Sequence, residues 1–309
     1  MSWNPPLSAP AADAPAVPAG LPLVVLLTGF TDAGSAVAQS IGYLRDESDP
    51  ITLRRFENDV LLDYRARRPQ ISFDTDHLTD YRPARLELSL AHDALGQPFL
   101  LLAGYEPDFA WDAFIAEVLA AAEAAAVATV TWVHAIGMPV PHTRPFGATV
   151  SGTRPALTEA HSVWKPHTTV PATVGHLLEY RLAETGRAVA GFVLLVPHYL
   201  ADTEYPASAI AALDSITAAT GLVFEVDELR EQNEDYLTKV REQIAGSDDL
   251  TAMLQNLEER YDAYMAGATN ASPLIHEGDL PSADEIAAEL ERFLAAGPHE
   301  DDPRSPGFG

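Results

Sequence analysis

Four short apolar runs each stop at a polar cluster where a helix is due to begin, and this repetition constrains the fold more than any other feature. The runs are residues 23–27 before Thr28-Gly29-Phe30-Thr31-Asp32, and 99–103 before Gly104-Tyr105-Glu106-Pro107-Asp108. The other two are 130–133 before His134-Ala135-Ile136-Gly137, and 192–196 before Pro197-His198-Tyr199. Parallel strands covered on both faces read as continuous apolar runs, and ligands of such sheets bind outside the strands' carboxyl ends. The pattern predicts an α/β fold with a three-layer α/β/α core, and it marks the strand ends as the place to look for a site.

The intervening segments fill in the layers. Residues 1–20 are mostly Pro and Ala and read as a flexible tail. Small residues Ala33, Gly34, Ala36 and Ala38 follow Asp32, which is placed to cap a helix. Residues 51–56 read as a second strand, and 59–68 as a short helix stopped by Pro69. Leu86-Glu87-Leu88-Ser89-Leu90 alternates with period two, as a half-buried strand does, and joins the run at 99–103 through a turn. The sheet is therefore expected to be mixed and mostly parallel. Helical spacing recurs over 109–126, 173–185 and 206–220. The Pro-containing stretch 134–165 reads as a long irregular loop of the kind that serves function or an interface.

From Asp227 onward two apolar stripes with charged outer faces predict an αα-hairpin, and Ser282 with Glu285 forms a capping box for a terminal helix. The expected organisation is a tail over 1–20 and an α/β core over 21–225. An acidic helical hairpin with a terminal helix follows over 226–297, then a disordered tail over 298–309.

Charge and chemistry exclude several function classes. The net charge of −26 repels phosphate, which argues against nucleic acid and anionic membrane as partners. Residues 225–309 carry 21 acids against 6 basic residues, whereas 54–85 holds seven arginines. With no cysteine, disulfides, thiolate metal sites and Cys nucleophiles are out. No run approaches the roughly 18 apolar residues of a membrane span, and there is no signal-peptide pattern, so a cytoplasmic location is expected. The histidines show no H-E-x-x-H pairing, there is no G-x-x-x-x-G-K-[ST] loop, and Ser35 and Ser151 lack a G-x-S-x-G elbow. No cofactor or metal is expected.

Five segments in order resemble the PAC2 family, named after the proteasome assembly chaperone 2 proteins, and in particular its longer actinobacterial members. They are Thr28-Gly29-Phe30-Thr31-Asp32-Ala33-Gly34, Asp63-Tyr64-Arg65-Ala66-Arg67-Arg68-Pro69, Gly104-Tyr105-Glu106-Pro107-Asp108, Gly137-Met138-Pro139-Val140-Pro141-His142-Thr143-Arg144-Pro145, and Val196-Pro197-His198-Tyr199. The resemblance implies a core similar to the phosphorylase/hydrolase-like fold with a C-terminal helical appendage. It also implies a homo-oligomer, with trimers or their multiples plausible, and proteasome-related proteins as partners. It supplies no catalytic residue set, and the catalytic residues are left unknown.

Two function classes follow. One is a homo-oligomeric assembly chaperone or protein-interaction scaffold, with Tyr64, Arg65, Arg67 and Arg68 as interface candidates because Tyr and Arg are enriched at interface cores. The other is an enzyme or small-molecule binder of hydrolase or transferase type, using a strand-end pocket of Asp32, Glu106, His134, His198 and Arg144. There a His and a carboxylate would act as base and orienting partner, and Arg144 would clamp an anion. Against this, Asp32 and Asp108 suffice as helix caps, Glu106 as a backbone acceptor, and Arg144 as an ion-pair anchor for its Pro-rich loop.

Overall fold

Strand β2 sets the layers, because its apolar run sends alternate side chains to opposite faces. Val24 and Leu26 join one buried cluster, and Leu23, Val25 and Leu27 join another. The computed structural model describes residues 6–165 and 167–267. The chain divides into a unit ending at Glu258 and a second beginning at Glu259, and the sites described below lie in the first.

In chain order the elements are β1 (Ser8–Pro10), β2 (Leu23–Thr28), α1 (Ala36–Glu47), β3 (Ile51–Phe56), α2 (Asn58–Leu61), β4 (Gln70–Asp74) and β5 (His77–Arg82). Then come β6 (Leu86–His92), β7 (Pro98–Tyr105), α3 (Trp111–Ala124), β8 (Val130–Met138), β9 (Gly147–Gly152), α4 (Pro155–His161) and α5 (Val174–Glu184). The series ends with β10 (Val189–Pro197), α6 (Pro206–Thr220), α7 (Asp227–Ala245) and α8 (Asp248–Met265). The main sheet has the order β1-β3-β6-β7-β2-β8-β10-β9. Its centre, β7-β2-β8-β10, is parallel. The pairings outside that centre are antiparallel, so the sheet is mixed and its parallel part is the four strands that carry the apolar runs.

Helices α1, α6 and α7 bury Val37, Leu44, Leu213 and Val240 on one face, while α3 and α5 bury Phe114, Ile115 and Leu178 on the other. Each such side chain contributes about 1.5–3 kcal/mol relative to leaving it in water. This is the expected three-layer core. Because α7 places Leu229 and Val240 in the same buried cluster as α1 and α6, the first helix of the acidic hairpin is packed onto the core.

Several local expectations need correction. Residues 8–10, expected within a flexible tail, pair with β3 as an edge strand, and Ser8 is buried there. The helix expected over 59–68 stops at Leu61. Its next turn would need the Leu61 carbonyl, but the N–H groups of Asp108 and Phe109 donate to it instead, at 2.7 and 3.3 Å. The stretch 134–165 is not a single irregular loop. β8 runs on to Met138, β9 pairs antiparallel with β10, and Pro155 opens α4 at the first helical position, where its missing N–H costs nothing. No element was expected over 70–82, where β4 and β5 form a separate two-stranded hairpin. The Ser282–Glu285 capping box, the terminal helix and the 298–309 tail lie outside the described residues.

Candidate functional site

The carboxyl ends of β2, β7 and β8 meet the N-terminus of α5, and Glu106 is the residue that ties them together. It follows β7 directly and is buried. Its Oε1 accepts the Val174 N–H at 2.6 Å, and its Oε2 accepts the Phe30 N–H at 3.2 Å. Its own N–H donates to the Thr28 carbonyl at 2.9 Å. The carboxylate thus fills two backbone donor positions, one of them in the first turn of α5, where the helix dipole also favours negative charge. Gly29 permits this approach, because a Cβ there would collide with the Glu106 carboxylate.

His134 points from mid-β8 toward the same place. Its Nε2 lies 3.2 Å from Thr31 Oγ1, and its ring sits 6.4 Å from that of His176 on α5. Burial, with His176 adding to it, pushes the His134 pKa down to about 4, so the imidazole is neutral at pH 7. Burial also lowers that of His176, whose Nδ1 accepts the Thr173 N–H at 3.1 Å. Thr173 Oγ1 in turn accepts the His176 N–H, which closes a capping box with His in the place usually held by Glu or Gln. Trp132 stacks edge-on against His176 at 5.0 Å and donates its indole N–H to Glu179 at 2.8 Å. Gly175 leaves room for that indole, since a Cβ would lie 2.6 Å from it.

Glu106, His134, Thr173 and Trp132 line a cavity of about 10 Å³. That volume holds about one water molecule and no metabolite. The other three expected pocket residues are not in its lining. Asp32 accepts the N–H groups of Val37 and Ala38, both at 2.8 Å, capping α1 across an intervening 3-10 turn. Burial raises its pKa, against the lowering effect of those two bonds. His198 begins a 3-10 turn after β10, and its buried Nδ1 has no hydrogen-bond partner among the described residues. Burial lowers its pKa, partly offset by a hydrogen bond to the Met138 backbone. Arg144 pairs with Glu258 at 3.3 Å.

The basic motif at 63–69 is likewise engaged within the chain. Arg67 donates to the Glu106 carbonyl at 2.6 Å, pairs with Asp108 and lies over the Tyr105 ring at 5.3 Å. Asp108 also accepts the Asp63 N–H at 2.7 Å. It does not cap α3, whose N-cap is Ala110. Tyr64 donates to Asp59 at 2.9 Å, Arg65 pairs with Asp63 at 3.2 Å, and Arg68 is exposed. Sequence reasoning missed Thr31, Trp132, Thr173 and His176. The signal for the last two was Thr173 placed three residues before a polar partner at the start of a helical pattern.

The model of the PAC2 family matches residues 26–244. The chain belongs to the PAC2 family. Two solved structures resemble it over most of its length. One is the Mycobacterium tuberculosis protein of unknown function Rv2714, 36% identical over 85% of this chain and 93% of that chain, with a TM-score of 0.80. The other is a Corynebacterium glutamicum protein of unknown function, 31% identical over 85% and 99%, with a TM-score of 0.81. The M. tuberculosis proteasome-assembly chaperone homologue Rv2125 shares the PAC2 fold at 21% identity, covering 76% and 100%, with a TM-score of 0.68. No curated protein matches. Among the described residues no helix is long and apolar enough to cross a membrane, and no cluster of three His, Asp or Glu could hold a metal ion.

Proposed function

We propose that this chain is a homo-oligomeric protein-interaction scaffold of the assembly-chaperone type, and that its strand-end residues hold the fold together and do not perform catalysis. The observation that carries this reading is the β4–β5 hairpin. Phe73 pairs with Leu78 across it, and a bulge opposite Ile71, where Asp80 has a φ of 51°, returns Tyr81 to the same face. Ile71, Phe73, Leu78 and Tyr81 therefore form one apolar face, exposed by 48, 71, 61 and 58%. A lone two-stranded hairpin is marginal in water, and an apolar face of this kind marks a contact surface.

Such a face needs a cover that is present whenever the protein is, and a second copy of the chain meets that condition. The same burial would then present the rest of the molecule as a symmetric platform for clients. Proteasome-related proteins are the clients that the family name and the description of Rv2125 suggest.

Light scattering on a sizing column tests the self-association. The full chain should elute as an oligomer, and Phe73→Ser with Leu78→Ser should shift it toward monomer while the far-ultraviolet circular dichroism is kept. A monomeric full chain at micromolar concentration would overturn the scaffold as described. Recovery of proteasome subunits on the immobilised chain, reduced by the same pair of substitutions, would support the client class, and no recovery would remove it. The enzyme alternative has only a cavity of water size at the strand ends.

A further inference from the structure

The alternation at Leu86-Glu87-Leu88-Ser89-Leu90 has a second consequence. Leu86 and Leu90 join the buried cluster on the α3–α5 face, so Glu87 and Ser89 face the α1 side. The helices of that layer pack over β2, β8 and β10, beyond which β3 and β6 lie toward the sheet edge. Between this part of the sheet and the end of α1 lies a groove of about 400 Å³. Its floor includes Ser89 and the buried Leu101 and Ala103, and its walls carry Arg45, Arg55 and Arg85. The volume is in the range of small-molecule sites.

The charges in this groove run against the rest of the molecule. The chain has 45 acids and 19 basic residues, yet three guanidiniums meet here against two carboxylates, Glu87 and Asp49. Glu87 is committed, because Arg55 Nε and Nη2 both reach its Oε1 at 2.8 Å. The Arg45 and Arg85 side chains have no ion pair or hydrogen bond among the described residues. Burial lowers the Arg45 pKa, the nearby Glu87 charge opposes that and Arg85 adds to it, so Glu87 and Arg85 both lie within electrostatic reach of Arg45. Arg45 sits in the last turn of α1, where a cation complements the helix dipole. That role explains one guanidinium and leaves Arg85 beside it unexplained. Two forks on the walls of one groove suit a bidentate anion, while Thr52, Ser89 and Asp49 offer hydrogen-bonding partners for hydroxyl groups.

We propose that this groove binds a small polyhydroxylated metabolite bearing a phosphate or carboxylate group, held through that group by Arg45 and Arg85. The site lies on the α1-side face of the sheet beyond the end of α1, apart from the strand ends and from the β4–β5 hairpin, and binding there stands whether or not the chain self-associates.

Isothermal titration calorimetry of the full chain at constant ionic strength tests it, with ribose 5-phosphate and gluconate as the anionic probes and ribose as the neutral one. At least one anion should bind saturably with one site per chain, and ribose should not bind. Because charged hydrogen bonds are at stake, Arg45→Gln and Arg85→Gln should each weaken binding about tenfold or more. Arg85→Lys, which keeps the charge and loses the fork, should fall between. Both arginines are exposed, so the Arg85 variants should melt as the parent does and Arg45→Gln should lose only its small helix-dipole contribution. Absence of saturable binding by both anions would overturn the proposal. So would ribose binding as tightly as its phosphate, or undiminished binding by the two Gln variants. Preference between the anions assigns the head group.

Discussion

Glu106 shows how one side chain can replace a catalytic reading with a mechanical one. A buried carboxylate beside two histidines at a strand end is what an acid–base site looks like in sequence. In the structure both oxygens accept backbone N–H groups, from Phe30 and Val174, and Gly29 makes the space for them. Deleting the side chain would leave the buried Val174 donor unpaired and free the end of β2 from α5. Glu106→Ala is therefore expected to lower unfolding stability by about 2–4 kcal/mol, and Glu106→Gln, which keeps one acceptor, by less. Urea denaturation followed by tryptophan fluorescence measures both. Equal stability of Glu106→Ala and the parent would mean that the carboxylate serves something other than the fold.

At the scale of elements, α5 depends on its cap. Thr173 and His176 satisfy two of the donors at its N-terminus, and Glu106 satisfies a third. Thr173→Ala should cost about 1 kcal/mol, with hydrogen exchange at the first turn of α5 rising ahead of the rest of the helix. Uniform exchange along α5 would contradict a local cap. What was legible at this scale followed from periodicity. The runs at 23–27, 99–103, 130–133 and 192–196 are the four central strands, and α6 spans Pro206–Thr220 as its pattern indicates. The failures came where a distant partner decided the local structure. Asp108 and Phe109 end α2 by taking the Leu61 carbonyl, and Arg67 folds back to Asp108, so helical spacing over 59–68 was outvoted by contacts more than forty residues away. The hairpin at 70–82 was illegible for another reason. Its apolar face relies on the bulge at Asp80, which breaks strict alternation in the sequence. The site residues divided likewise. The ends of the apolar runs pointed to Glu106 and His134, although β8 runs on to Met138 and leaves His134 in mid-strand, but they could not show that Asp32 and Arg144 were engaged elsewhere.

For the molecule as a whole, buried histidines couple stability to pH. His134, His142, His176 and His198 all have their pKa lowered, with burial the largest cause in each. A histidine with a depressed pKa takes up its proton more readily in the unfolded chain, so the unfolded state binds more protons below about pH 6.5 and stability falls as pH falls. For His134, shifted from 6.5 to about 4, the window is pH 6.5 down to 4, and the loss between pH 7 and 5 is about 2 kcal/mol. Asp32 and Glu179 act in the opposite direction. Burial raises both, so each adds stability as pH falls through its folded value toward 3.8 and 4.5. The two effects separate when the parent is compared with His134→Gln, since the carboxylates are common to both. The parent should lose about 2 kcal/mol more than the variant between pH 7 and 5 in urea melts. Parallel profiles would show that His134 is not held neutral, and with it the account of a buried imidazole beside a water-sized cavity at the strand ends would fall.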